Sequence, residues 1–212
     1  MSEATLVTDV DVLVVGAGPT GLTVANLLAF HGVRVHVVEA QSRCYDEPRA
    51  IALADESLRT AYALGLLDEL RPDLVWTSGS RYLGAHGQLL ARTQPAAARQ
   101  GFPVKTLFDQ PGYVQAYLAG LARRELASLE YEAAVETLTQ DTDGVDVEVR
   151  TPGSARSLRA RYVVACDGGR SAVREALDIT MEGSSQTHPW IVIDAVNDPR
   201  DNGDTEFHCD PR

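Results

Sequence analysis

The feature that most constrains this chain is a glycine-spaced turn set between a short apolar run and a helical pattern. Val10 to Val15 holds only Asp11 as a polar residue and is mostly β-branched. Such a run reads as a buried parallel strand. It leads into Gly16-Ala17-Gly18-Pro19-Thr20-Gly21. Leu22 to His31 then carries apolar residues at helical spacing, and Gly32 stands where a C-cap glycine belongs. Val33 to Val38 is a second apolar strand, closed by Glu39. Strand, tight turn, helix and strand within about 30 residues make a βαβ unit.

Each glycine has a mechanical reason. Gly16 permits the turn out of the strand, Gly18 lets backbone approach a pyrophosphate, and Gly21 allows close packing of helix on strand. Amides at the helix start would face the phosphates, where the helix dipole favours negative charge. Glu39 follows Gly21 by 18 residues. A carboxylate there accepts hydrogen bonds from the ribose hydroxyls of an adenosine. The motif predicts a dinucleotide and leaves NAD and FAD as alternatives.

Further along, Gln41 to Arg49 reads as an exposed loop and Glu56 to Leu70 as a helix with Leu58, Tyr62, Leu66 and Leu70 on one face. Val75 to Ala91 predicts a β-hairpin, Thr93 to Pro103 a loop, and Pro111 to Ala127 a second long helix. Leu129 to Leu138 and Val145 to Arg150 read as strands around the turn Asp141-Thr142-Asp143-Gly144. Leu158 to Cys166 is a further strand ending at Asp167-Gly168-Gly169. A short helix follows from Ser171 to Leu177, and a late strand runs from Trp190 to Val196. The expected fold class is α/β, a doubly wound, mostly parallel sheet with part of a second sheet. Residues 9–75 and 105–187 are assigned to a discontinuous dinucleotide-binding domain, 76–104 and 188–212 to strands of a substrate domain.

Charge and cysteine usage exclude several classes. The formal net charge of −11 argues against a nucleic-acid surface, which needs clustered Lys and Arg. No stretch approaches the roughly 20 apolar residues that span a bilayer. Met1 to Asp9 lacks the basic start of a secretory signal. Cys44, Cys166 and Cys209 are odd in number and widely spaced, so neither a zinc site nor a disulfide scaffold is expected. Five scattered histidines predict no metal site. Reduced thiols in a cytoplasmic protein are the simplest reading.

Three segments carry a family resemblance: Val12 to Leu22 with Glu39; Pro48-Arg49-Ala50; and Val164-Ala-Cys166-Asp167-Gly168-Gly169-Arg170-Ser171-x-Val173-Arg174. Together they resemble the aromatic-ring hydroxylases that use FAD and a nicotinamide, the group that includes para-hydroxybenzoate hydroxylase. Trp190 to Asp194, Asn197-Asp198-Pro199 and Cys209-Asp210-Pro211 look like the 3-(3-hydroxyphenyl)propionate hydroxylase subgroup. The resemblance implies FAD as cofactor, NADH or NADPH as transient electron donor, and O2 and a small phenol as substrates. One oxygen atom passes to the ring and the other leaves as water.

The resemblance also implies site roles. Arg49 matches a family arginine near flavin and pyrophosphate, Gln110 a glutamine on the flavin side, and Asp167 an acid facing the ribityl or pyrophosphate region. The expected cofactor-binding set is therefore Gly16, Ala17, Gly18, Pro19, Thr20, Gly21, Glu39, Ala40, Gln41, Arg49, Gln110 and Asp167. No catalytic side chain is assigned, because the flavin carries the chemistry; Arg49 is the one that could take part. Nothing before Arg212 resembles the family's third fingerprint, a Gly-Asp pair followed by small residues and a His. The chain alone is therefore expected to hold FAD incompletely and not to hydroxylate. A nicotinamide-dependent dehydrogenase and a non-catalytic dinucleotide-binding module stay open as alternatives.

Overall fold

The computed structural model describes residues 10–44, 47, 49–77, 79–94, 96–185, 187–189, 191, 193 and 204–210. Its contacts divide the chain into two compact units, Met1–Asp46 with Val114–Thr187, and Glu47–Tyr113 with His188–Arg212.

The first unit is built on strand β1 (Val10–Val15), helix α1 (Pro19–Phe30) and strand β2 (Val35–Val38). β1 and β2 pair in parallel, as strands joined by a helical crossover do. Leu13, Val14, Val35, Val37 and Val38 are each 2% exposed or less. Both faces of these strands are covered, which explains why alternation is missing from their sequence. Helix α4 (Gln110–Ala122) runs from the second unit into the first. Buried Asn26 ties it to α1, donating to the carbonyls of Leu22 and Tyr117 while its own oxygen accepts from Arg124.

Strands β8 (Ala127–Glu130), β9 (Ala134–Gln140), β10 (Val145–Thr151) and β11 (Ser154–Ala165) complete a six-stranded sheet in the order β8-β2-β1-β11-β10-β9. The β8, β2, β1 and β11 pairings are parallel; β11, β10 and β9 pair antiparallel. Val147, Val149 and Leu158 of the antiparallel strands share one buried cluster with Leu13, Val15 and Val38. Val173, on helix α5 (Ala172–Ala176), joins that cluster.

In the second unit, strands β3 (Ala52–Ala54) and β4 (Leu74–Trp76) flank β7 (Lys105–Phe108), and β5 (Gly79–Gly84) lies between β6 (Leu89–Thr93) and β12 (Asp204–Cys209). Because β3 and β4 both pair with β7, residues 52–76 and 105–108 fall in one unit by compactness. The expected boundaries stood at 75/76 and 104/105.

Several elements differ from expectation for visible reasons. The helix expected over Glu56–Leu70 breaks into α2 (Asp55–Leu64) and α3 (Leu67–Leu70), because Gly65 adopts a left-handed conformation. Tyr62 is exposed, beside Phe102, and is not on the buried face. Helix α4 ends at Ala122, five residues early. Its last amides, Arg123 and Arg124, bond three residues back, and the chain turns so that Leu126 can accept from Val35. The strand expected over Leu129–Leu138 is two strands on opposite edges of the sheet, separated at Glu132, which has φ +53°. The expected hairpin is β5 and β6; Leu74–Trp76 pairs in the other sheet. The strand expected over Trp190–Val196 lies outside the described residues but for Ile191 and Ile193, which are not in a strand.

Candidate functional site

Three parallel strands deliver their carboxyl ends side by side, where open α/β sheets bind ligands. β1 ends in the glycine loop, β2 in Glu39–Gln41, and β11 in Cys166–Gly169. The Gly16 amide bonds to the Val38 carbonyl at 2.8 Å and the Cys166 amide to the Val15 carbonyl at 2.7 Å. These two bonds draw the segments together at the strand ends.

The glycines divide by what surrounds them. Gly16 has φ +99°, and a Cβ there would lie 2.5 Å from the Cys166 carbonyl oxygen. A Cβ on Gly21 would collide with the Gly16 carbonyl. These two are fixed by packing. Gly18 is extended, at φ −75° and ψ −179°, and a Cβ would meet nothing within 4 Å. It is the N-cap of α1, where no side chain caps the helix and no acidic residue occupies the first turn. Pro19 takes the first helical position, where its missing amide costs nothing. The open space before Gly18 and the uncapped helix start fit a diphosphate, whose oxygens would accept from backbone amides.

Glu39 closes the loop from the side. One carboxylate oxygen accepts from the Ala17 amide at 2.8 Å and the other from Gln41 at 2.9 Å. Ala40 and Gln41 border an open cleft of about 590 Å³, whose far wall includes Arg150, Thr151 and Gly153. Thr20 is exposed at the helix start.

Asp167 organises the third segment. Its carboxylate accepts from the Val173 amide at 3.1 Å, while Ser171 caps Arg174 at 3.0 Å. Helix α5 thus has two side-chain acceptors at its start. Cys166 is half-buried, and burial raises its thiol pKa.

The remaining two expected residues meet each other in the second unit. Buried Gln110 accepts with its side-chain oxygen from the amides of Arg49 at 3.1 Å and Ala50 at 2.8 Å. The glutamine therefore shapes the loop that presents Arg49. No group of His, Cys, Asp and Glu among the described residues could hold a metal ion. No helix among them is long and apolar enough to cross a membrane.

Sequence reasoning missed two residues of the site. Cys44 is buried and donates from Sγ to the Ala17 carbonyl at 3.2 Å; Tyr131 Oη lies 3.4 Å from the same sulfur. Burial raises both groups' pKa values. These contacts span 27 and 87 residues, and no local motif marks them.

A family model described as FAD binding domain matches residues 9–210. The 3-(3-hydroxy-phenyl)propionate/3-hydroxycinnamic acid hydroxylase of Mycolicibacterium smegmatis is 41% identical over 203 residues, covering 96% of this chain and 36% of that protein. The Comamonas testosteroni protein of the same name is 39% identical, covering 96% and 35%. Among solved structures, p-nitrophenol 4-monooxygenase PnpA from Pseudomonas putida superposes with a TM-score of 0.78 at 32% identity, covering 84% of this chain and 46% of PnpA. Aklavinone-11 hydroxylase, solved with FAD and aklavinone, superposes at 0.70 with 28% identity, covering 84% and 36%. The chain thus spans a little over a third of the length of its curated relatives.

Proposed function

This chain belongs to the FAD binding domain family, and from that premise we propose that it is the cofactor-binding part of a flavoprotein monooxygenase that hydroxylates a phenolic ring. The reading is carried by the convergence of the glycine loop, Glu39 and Asp167 at three adjacent parallel strand ends, with open space in front of Gly18. The amides around Gly18 at the start of α1 hold the diphosphate. Glu39 and the Ala40–Gln41 cleft take the adenosine. Asp167 faces the ribityl and pyrophosphate side. Arg49, in the loop shaped by Gln110, serves the flavin side. The relatives named as hydroxylases of 3-hydroxyphenyl-propionate and 3-hydroxycinnamic acid support an acidic phenylpropanoid as substrate.

When bound, FAD supplies the redox chemistry that joins a nicotinamide donor, O2 and the phenol. The chain's own residues bind and orient it. The helix dipole and loop amides neutralise the diphosphate, while Glu39 disfavours a phosphate on the adenosine ribose. The donor in this reading is NADH or NADPH; Glu39 bears on the FAD adenosine and not on the nicotinamide donor.

The test is an absorption spectrum of the purified chain after excess FAD is added and free flavin removed. Flavin bands that stay with the protein are expected. A colourless chain together with a colourless polypeptide of the relatives' length would overturn the assignment of this site to FAD. Substrate-dependent NAD(P)H oxidation by a polypeptide of the relatives' length, with 3-(3-hydroxyphenyl)propionate, tests the hydroxylase reading separately.

A further inference from the structure

The Ala17 residue is held from two directions. Its amide donates to Glu39, and its carbonyl accepts from the Cys44 thiol. The second contact acts on the next residue. The peptide unit joining Ala17 to Gly18 is planar and trans, so its C=O and N–H point in opposite directions. A donor fixed on the Ala17 oxygen therefore fixes the heading of the Gly18 N–H. That amide belongs to the N-cap residue, beside the space where a Cβ would meet nothing.

The direction of the hydrogen bonds follows from proton count. A thiol has one proton, and here it is committed to Ala17. The contact between Cys44 and Tyr131 must then run from the phenol O–H to the sulfur. Burial keeps both groups protonated at neutral pH, so both remain donors. Tyr131 lies between β8 and β9, next to the segment where Glu132 and Ala133 donate to the carbonyls of Gln41 and Glu39. The whole relay is anchored to the sheet.

We infer that Cys44, supported by Tyr131, is a positioning residue that aims the Gly18 amide at the cofactor diphosphate. The chain of donors runs Tyr131 O–H to Cys44 S–H to Ala17 C=O, and through the peptide to Gly18 N–H. Each hydrogen bond polarises the next, so an anion accepting from Gly18 strengthens the relay and is strengthened by it. The inference rests on the FAD reading of this site. It adds a residue outside the glycine motif to the machinery that reads the phosphate.

The experiment compares the wild-type chain with Cys44→Val, Cys44→Ser and Tyr131→Phe. FAD affinity is read by quenching of flavin fluorescence, and the melting temperature is read without FAD. Val fills the thiol's space without a donor. It is expected to weaken FAD binding about three- to tenfold, the effect of one lost hydrogen bond, and to melt a few degrees early without FAD, because the Ala17 carbonyl and the Tyr131 hydroxyl lose their partner. Ser restores a donor and is expected within about twofold of wild type, a hydroxyl exchanging one hydrogen bond for another. Tyr131→Phe removes only the outer donor and is expected to fall between them.

Cys44→Val binding FAD as tightly as wild type would overturn the inference while leaving FAD binding intact. So would Ser failing as badly as Val in a chain of unchanged melting temperature, because shape and not the donor would then be what matters. Wild-type protein of the relatives' length that binds no FAD would overturn the cofactor reading of the site, and this inference with it.

Discussion

The Glu39 carboxylate accepts from the Ala17 amide at 2.8 Å across 22 residues of sequence. The acid that closes the second strand is thereby bonded to the turn that closes the first. The loop is shaped by these bonds within the protein, and both carboxylate oxygens already accept from backbone amides, Ala17 on one and Gln41 on the other. Glu39 therefore has a structural task beside the one its place in the motif implies.

Replacing Glu39 by Gln keeps the size, removes the charge and leaves one of the Ala17 and Gln41 amides without its acceptor. Charge-assisted hydrogen bonds contribute about 1.5–3 kcal/mol, so FAD affinity is expected to fall by about tenfold or more. Fluorescence titration measures it. Equal affinity in E39Q would show that the carboxylate charge plays no part in binding.

The three glycines are expected to respond differently to Ala. At Gly16, with φ +99° and the Cys166 carbonyl in the way, strain and crowding should cost about 1–3 kcal/mol of stability. Gly21→Ala should be at least as damaging, since its neighbour is backbone. Gly18→Ala should leave the thermal melt unchanged and weaken FAD, because the added methyl enters only the ligand's space. A Gly18→Ala protein that melts early would contradict this division.

Gln110→Leu removes the acceptor shared by the Arg49 and Ala50 amides. Leaving such groups unpaired costs about 1–3 kcal/mol, here as local opening of the loop. Trypsin should then cut after Arg49 faster than in the wild type, with Gln110→Glu cutting at the wild-type rate. Proteolysis followed by mass spectrometry reads both.

His36 gives a pH dependence with a defined sign. Its ring lies 2.7 Å from Ser128 Oγ and 3.3 Å from Glu130, which also pairs with Arg156. Burial lowers its pKa from 6.5, outweighing the Glu130 carboxylate. Below about 6.5 the unfolded chain takes up a proton that the folded chain still refuses. This contribution to stability is complete above that pH and is lost as pH falls toward the folded value. His36→Gln should flatten the decline in melting temperature between neutral pH and pH 5. A variant that declines in parallel with wild type would remove His36 as the cause.

Legibility tracked sequence distance. β1 matched its expected range and the glycine loop followed it, because their signals lie within one another's reach in the chain. Gly65 was visible as a residue, but the pattern Leu58, Leu66, Leu70 ran through it, and the left-handed turn won. Glu132 at φ +53° gave no sign of parting two strands, since no glycine marks the place. For the site, the residue types at Gly16, Gly18, Gly21 and Glu39 were legible from spacing. Bonds such as Cys44 to Ala17 and to Tyr131 were not, because they depend on the loop after β2 folding back on the glycine loop and on β8 pairing with β2. The Asp167 contact with Val173 was not legible: the resemblance gave Asp167 a ligand-facing role, while in the fold it shares the start of α5 with Ser171.

Strand β11 pairs antiparallel with β10 up to Ala160 and parallel with β1 from Ala160 onward. It thus works as a ruler with two scales. Side chains alternate along it, so one residue inserted or lost within the strand would turn either Leu158 or the residues opposite β1 to the wrong face. Changes in chain length can be absorbed only at its two ends, in the turn at Pro152–Gly153 and in the loop from Cys166. The count of residues from that turn to Asp167 is thereby held constant by the sheet.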